Sequence, residues 1–383
     1  MATSEAGAGS RAKSTAHTTS RDTLTERKSH DSLNAKHGSD LDVPHLADET
    51  DEIDKVLNCL RDMTTSQSRS FPDEKPREYQ LSKESWFKFS TDPFVESCRE
   101  EHKFRISYDA YRSVLTVFPM PGAIHRGLQA WAQKVAIFSS TTWPPEIRDR
   151  HYVQIGADVT CMEEGDYKCS EKDPDIDIAW TDDEGDLDSH TVVEIGVSQT
   201  LQSLHHVRDL YLMGNRHIHR VILLKVEETP RFKGARLMDI DFKRWEESLR
   251  RDYRMSSVQG PLYCQDVLCV GAIKVFCEVW ERNPRTGQVL QVFGDQIIPF
   301  SEDRQLPIPF FRLPPEIGTA IEPITIKPPD VEDLSRRLLR PMIRQQATKR
   351  IMVAADSKRI ADQEELELAT QKDEAQRLRD EEN

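Results

Sequence analysis

The chain predicts a mixed α/β domain, a sheet flanked by helices, on three observations. Apolar runs of strand length recur along its middle, among them "PDIDIAW" (Pro174–Trp180), "HTVVEIGVS" (His190–Ser198) and "HRVILLKV" (His219–Val226). Between the last two, Leu201, Leu204, Val207 and Tyr211 recur at helical spacing, and strand, helix, strand in that order implies a crossover helix packed on a sheet. Finally, "AIKVFCEVWER" and "QVLQVFGDQIIPF" flank "NPRTG", the pattern of a long hairpin.

The elements follow in order. Residues 1 to about 50 hold Ser, Thr, Ala and charge with few large apolar side chains, too little to offset the entropy of ordering, so a disordered tail is expected. Ile53, Val56, Leu57, Leu60 and Met63 mark one amphipathic helix before a polar linker, Thr64–Arg77. "FRISY" (Phe104–Tyr108) and "SVLTVF" (Ser113–Phe118) read as a strand pair, and "MPG" ends it. Ile124, Leu128, Trp131, Val135 and Phe138 then step by four, three, four and three, the stripe of a helix. "HYVQIGADV" (His151–Val159) is a further strand, and Phe242, Trp245 and Leu249 suggest a later helix. Proline-rich sequence from Pro307 to Pro329 closes the globular part, and "PPDVEDLSRRLL" opens a helix with Asp330 as its expected N-cap. The division is therefore 1–78, tail with one short helix; 79–326, folded domain with its hairpin extension; and 327–383, a charged helical arm.

Composition narrows the class. Hydrophobic residues make up 37% and charged residues 31% of the chain, which suits one domain with polar appendages better than several cores. No stretch approaches the roughly 18 apolar residues of a membrane helix, so no membrane partner is expected. Seven scattered cysteines without repeated ligand spacing point to reduced thiols in an intracellular setting, cytoplasmic or nuclear. The net charge is −14, and thirteen acids against two lysines lie between Ala157 and His190. Such acidity repels phosphate unless a cation intervenes, so it reads as a metal site or as a plain solvated loop. Arg336–Arg359 holds eight basic residues, and Ile360–Asn383 nine acidic ones against three basic; this polarised arm reads as a solvated helix or coiled-coil arm rather than a nucleic-acid clamp.

Two acids interrupt apolar strands. Alternation puts Asp173, Asp175 and Asp177 on one face and Ile176 and Ile178 on the other, and likewise Glu194 opposite Val193 and Ile195. If the strands pair, Asp175 and Glu194 share a side, where a hard cation such as Mg²⁺ or Mn²⁺ would relieve their repulsion.

Pro174-Asp175, eighteen residues, then Glu194 on an apolar strand resembles the core of the PD-(D/E)XK superfamily, and "SYDAYRSVLTVFPMPGAIH", "DPDIDIAW", "TVVEIGVSQTLQSL" and "VFCEVWERNPRTGQV" resemble fungal proteins carrying such a restriction-endonuclease-like domain. The resemblance covers roughly Tyr79–Arg312. It implies a nuclease-like mixed sheet, with Asp175 and Glu194 as metal ligands, the carbonyl of Ile195 as a third, His125 facing the metal and Gln199 near the mouth of the site. The motif's lysine, two residues after the glutamate, is replaced by Gly196, and Arg126 stands where the fungal proteins carry an acid. A basic group is then sought on the following helix, at His205, His206 or Arg208, with Lys225 a weaker candidate. The histidine pair does not read as zinc, because adjacent side chains point to different sides of a helix and no cysteine stands at finger spacing. Two functions follow: a Mg²⁺-dependent nuclease acting on DNA or RNA phosphodiesters, or an inactive nuclease-fold interaction module recruiting a protein through the charged C-terminal arm.

Overall fold

A computed structural model of the chain describes residues 49–65, 76–101, 104–118, 121–156, 160–182, 184–248, 252–283, 285–301, 307–311 and 323–381. The expected N-terminal tail and most of the linker after Thr64 lie outside them. In chain order come α1 (Glu49–Thr65), β1 (Arg77–Gln80), α2 (Lys83–Ser90), α3 (Pro93–Glu100), the hairpin β2 (Arg105–Asp109) and β3 (Val114–Phe118), and the long α4 (Ala123–Ser140). The short α5 (Pro145–Arg148) leads to β4 (His151–Ile155), β5 (Thr160–Cys161), β6 (Glu171–Lys172), β7 (Ile176–Thr181) and β8 (Leu187–Gly196). Then follow α6 (Leu201–Gly214), β9 (Arg220–Thr229), α7 (Phe242–Glu247), β10 (Tyr253–Met255), β11 (Leu262–Cys264) and β12 (Val267–Val270). The hairpin β13 (Ala272–Arg282) and β14 (Val289–Ile298), the pair β15 (Ile308–Phe311) and β16 (Ile324–Ile326), α8 (Pro328–Asp333) and α9 (Leu339–Glu381) complete the chain.

The main sheet has six strands in the order β14-β13-β9-β8-β7-β4. Only β8 and β9 run parallel, joined by α6 as the strand-helix-strand pattern requires; the hairpin adds two antiparallel strands at one edge. Alternation sorts the two faces. Ile176, Ile178, Val193, Ile195, Ile222 and Leu224 pack into one core with α4 and α9, while Val192, Val221 and Leu223 meet Leu204, Leu210 and Tyr211 of α6 on the other. A side chain's face therefore decides which helix it meets. The strand pair β2–β3 belongs to a separate five-stranded sheet, β1-β3-β2-β6-β5, with a core of its own that includes Trp86, Phe89 and Tyr108.

Three expectations need correction. Phe138, the last member of the α4 stripe, is 63% exposed, whereas Ser140 and Trp143 beyond it are buried. Asp330 does not cap α8: the cap position is Lys327, whose backbone N–H bonds the Asp330 carboxylate at 2.8 Å from inside the first turn. The folded part also does not stop at residue 326. Val331, Leu334, Leu339, Ile343, Ala347, Ile351 and Ala354 belong to the main core, and only from Ala361 to Asp380 is every residue of α9 exposed. Among the described residues, no helix is long and apolar enough to cross a membrane.

Candidate metal centre

The main sheet supplies the acids and the smaller sheet supplies the cations. Pairing of Ile176 with Val193 and of Asp177 with Val192 continues one step to set Asp175, just before β7, beside Glu194, as alternation predicts. Pairing of Ser107 with Lys172 joins β6 to β2, and these strands carry Lys172 and Arg105 to the same place. Asp175, Glu194 and Lys172 are each 2% exposed, and together with Arg105, His125 and Gln199 they line one pocket.

Each carboxylate oxygen in this pocket has a protein partner. Oδ1 of Asp175 takes the Arg105 guanidinium and His125 Nε2, the latter at 3.2 Å, while Oδ2 accepts the Ile195 amide N–H at 2.6 Å. Oε1 of Glu194 accepts the Tyr211 hydroxyl at 2.9 Å, and Oε2 lies 3.1 Å from the Lys172 ammonium. Burial pushes the Asp175 carboxyl up, but Arg105 and His125 outweigh it and hold that group well below the usual carboxylate range. Glu194 is raised, because burial and neighbouring Asp175 outweigh the pull of Lys172 and Arg105. The Tyr211 phenol is raised well above its ordinary value by burial and by the Glu194 carboxylate.

Hard oxygens are the donors Mg²⁺ prefers, yet they are not available to it. Two formal negative charges face two formal positive ones, so the electrostatic need for a cation is already met. Among the described residues, the single cluster of three His, Cys, Asp or Glu ligand atoms within 4.8 Å of one another is the loop trio Asp182, Glu184 and Asp186, so no third such ligand joins Asp175 and Glu194. The cavity volume is about 60 Å³, room for a few waters. As arranged, the residues do not fit a resident Mg²⁺ or Mn²⁺.

The other expected residues divide. His125, at the head of α4, and Gln199, after β8, do line the pocket. Arg208 instead lies over the Trp280 ring, 4.0 Å from its centroid, and pairs with Asp209; His205 meets Glu278 at 2.8 Å. His206 lines an adjoining cleft with Arg112 and Arg231. Lys225 donates to the carbonyls of Val197 and Val226, and Arg126 is exposed on α4. None of the four bases sought, His205, His206, Arg208 and Lys225, lines the acid pocket; the ammonium beside Glu194 is that of Lys172. Its sequence signal was faint: a cation inside an acidic run, two residues ahead of Pro174.

Gly196 is glycine for a steric reason. A Cβ there would come within 2.6 Å of the Leu204 side chain, which is fully buried in the α6 core. Gly196→Lys should therefore cost about 1–3 kcal/mol through overpacking and place no ammonium in the pocket. Urea unfolding measures this; an unchanged midpoint would contradict it.

Asp177, 4% exposed, accepts the Ser189 hydroxyl at 2.6 Å. Burial pushes its carboxyl from 3.8 to about 6. A folded-state value above the unfolded one favours the fold fully below pH 3.8, and this contribution fades as pH rises through 6. Asp177→Asn is expected to gain up to roughly 3 kcal/mol over the wild type near pH 8 and nothing near pH 3.5. Urea unfolding at both pH values checks this, and equal gains would contradict it.

Searches against family models, curated proteins and solved structures give no match to this chain.

Proposed function

We propose that the chain is a non-catalytic interaction module built on a PD-(D/E)XK-like fold, its former metal centre turned into a closed ion-pair cluster. One observation carries this reading: both oxygens of Asp175 and both of Glu194 already hold protein partners, among them Arg105, Lys172 and His125. Breaking such buried pairs costs several kcal/mol, so the cluster resists opening for substrate. None of the seven cysteines forms a disulfide, which agrees with a reducing cytoplasmic or nuclear setting.

A second reading has its own support. Lys172 lies 3.1 Å from Glu194 and so restores, from another strand, the lysine that Gly196 lacks. Under this reading the chain is a Mg²⁺- or Mn²⁺-dependent nuclease on DNA or RNA, and Asp175, Glu194 and the Ile195 carbonyl would have to release their present partners to hold the ion.

Cleavage assays separate the two. Purified protein is incubated with single- and double-stranded DNA and RNA in Mg²⁺ or Mn²⁺, beside Asp175→Ala and Glu194→Ala. The module reading expects no cleavage by any of the three proteins; metal-dependent cleavage by the wild type, lost in both variants, would overturn it.

A further inference from the structure

The long α9 divides into two halves of opposite character. Helix α9 has 43 residues, so with a rise of 1.5 Å each half, before and after Ile360, runs about 31 Å. The first half is docked, and its outward side is basic: Arg340, Arg344, Lys358 and Arg359 are exposed. The second half projects with every residue from Ala361 to Asp380 exposed, and it carries Asp362, Glu364, Glu365, Glu367, Asp373, Glu374 and Asp380 against Lys372, Arg377 and Arg379. A helix that is polar all round needs a partner or many internal pairs.

We propose that α9 is an antiparallel dimerisation arm whose partner is a second copy of the chain. A two-fold axis near Ile360 lays the acidic half of each copy along the basic face of the other, and the halves match in length. The same axis sets Leu368 of one copy opposite Met352 of the other; these side chains are 52% and 47% exposed, so the contact gains apolar burial as well as charge pairing. A parallel arrangement would put acid on acid. The contact is isologous and closes on itself, giving a dimer and no filament. The inference uses no residue of the acid pocket and stands whether or not that pocket cleaves phosphodiesters.

Light scattering of the full chain tests it. A dimer is expected at about 50 mM salt, with its dissociation constant rising at least roughly tenfold by about 500 mM as the charges are screened. Two variants sharpen the test: Asp362→Lys/Glu364→Lys/Glu365→Lys/Glu367→Lys/Glu374→Lys leaves four acids against eight bases after Ile360 and so makes both halves basic, and Arg340→Glu/Arg344→Glu/Arg359→Glu makes both acidic. Each should be monomeric alone, and an equal mixture should form a heterodimer, since each arm then meets an opposite charge. The changed side chains are exposed in the single chain, so each variant should keep a cooperative unfolding transition and wild-type circular dichroism, which confirms folding. A monomeric wild type at low salt, variants that still dimerise alone, or a mixture that stays monomeric would overturn the proposal.

Discussion

A chain ended at Ile326 is expected not to fold, whereas one ended at Ile360 should unfold within about 1 kcal/mol of the full chain held monomeric at high salt, since exposed residues contribute little. The first truncation removes Val331, Leu334, Leu339, Ile343 and Ile351, all 1% exposed or less. At about 1.5–3 kcal/mol for each buried aliphatic side chain, their sum rivals the roughly 5–15 kcal/mol that holds a typical domain together. Arg350 goes with them. Its guanidinium, 1% exposed, binds both oxygens of Glu228 at 2.8 and 2.9 Å, donates to the Cys269 carbonyl and lies over the Phe232 ring, so the shorter chain also leaves Glu228 without its cation. Circular dichroism and urea unfolding of both truncations check this. A cooperative transition in the 1–326 chain at the full-length midpoint would contradict it.

Lys172→Met is expected to destabilise the fold by about 3–5 kcal/mol, the cost of stranding one partner of a buried ion pair. Glu194 would lose the group that most lowers its proton affinity while staying buried among Arg105, Tyr211 and Asp175. Adding Glu194→Gln removes the stranded charge, so the double variant should recover much of the loss. Urea midpoints of the wild type, the single variants and the double variant form a cycle that isolates the pair. A Lys172→Met protein as stable as the wild type would show that the ammonium does not hold Glu194.

What the sequence discloses and what it hides have different physical origins. Period-two alternation in "PDIDIAW" and "VVEIG" is a local property, and it correctly set Ile176, Ile178, Val193 and Ile195 toward one core and Asp175 beside Glu194. The crossover helix and the hairpin were legible for the same reason. The cations were not. Arg105 and Lys172 reach the acids only through the pairing of β2 with β6, and no periodicity in either strand tells which side chain a second sheet will present. The helix after β8 is near Glu194 in sequence, but its turn directs Arg208 toward Trp280 and His205 toward Glu278. The C-terminal boundary was missed because charge masked pattern: Leu339, Ile343, Ala347, Ile351 and Ala354 step by four, four, four and three beneath a basic surface, a core stripe inside a segment read as solvated.

Protein cations, Arg105 and Lys172, balance the Asp175 and Glu194 carboxylates in this pocket, and on the reading proposed above they leave no site for a metal ion. Calorimetric titration of Mn²⁺ into the full chain, beside Glu194→Gln, tests it most directly. The closed ion-pair cluster predicts the same weak heats in both proteins. Saturable, stoichiometric uptake by the wild type that disappears in Glu194→Gln would contradict it.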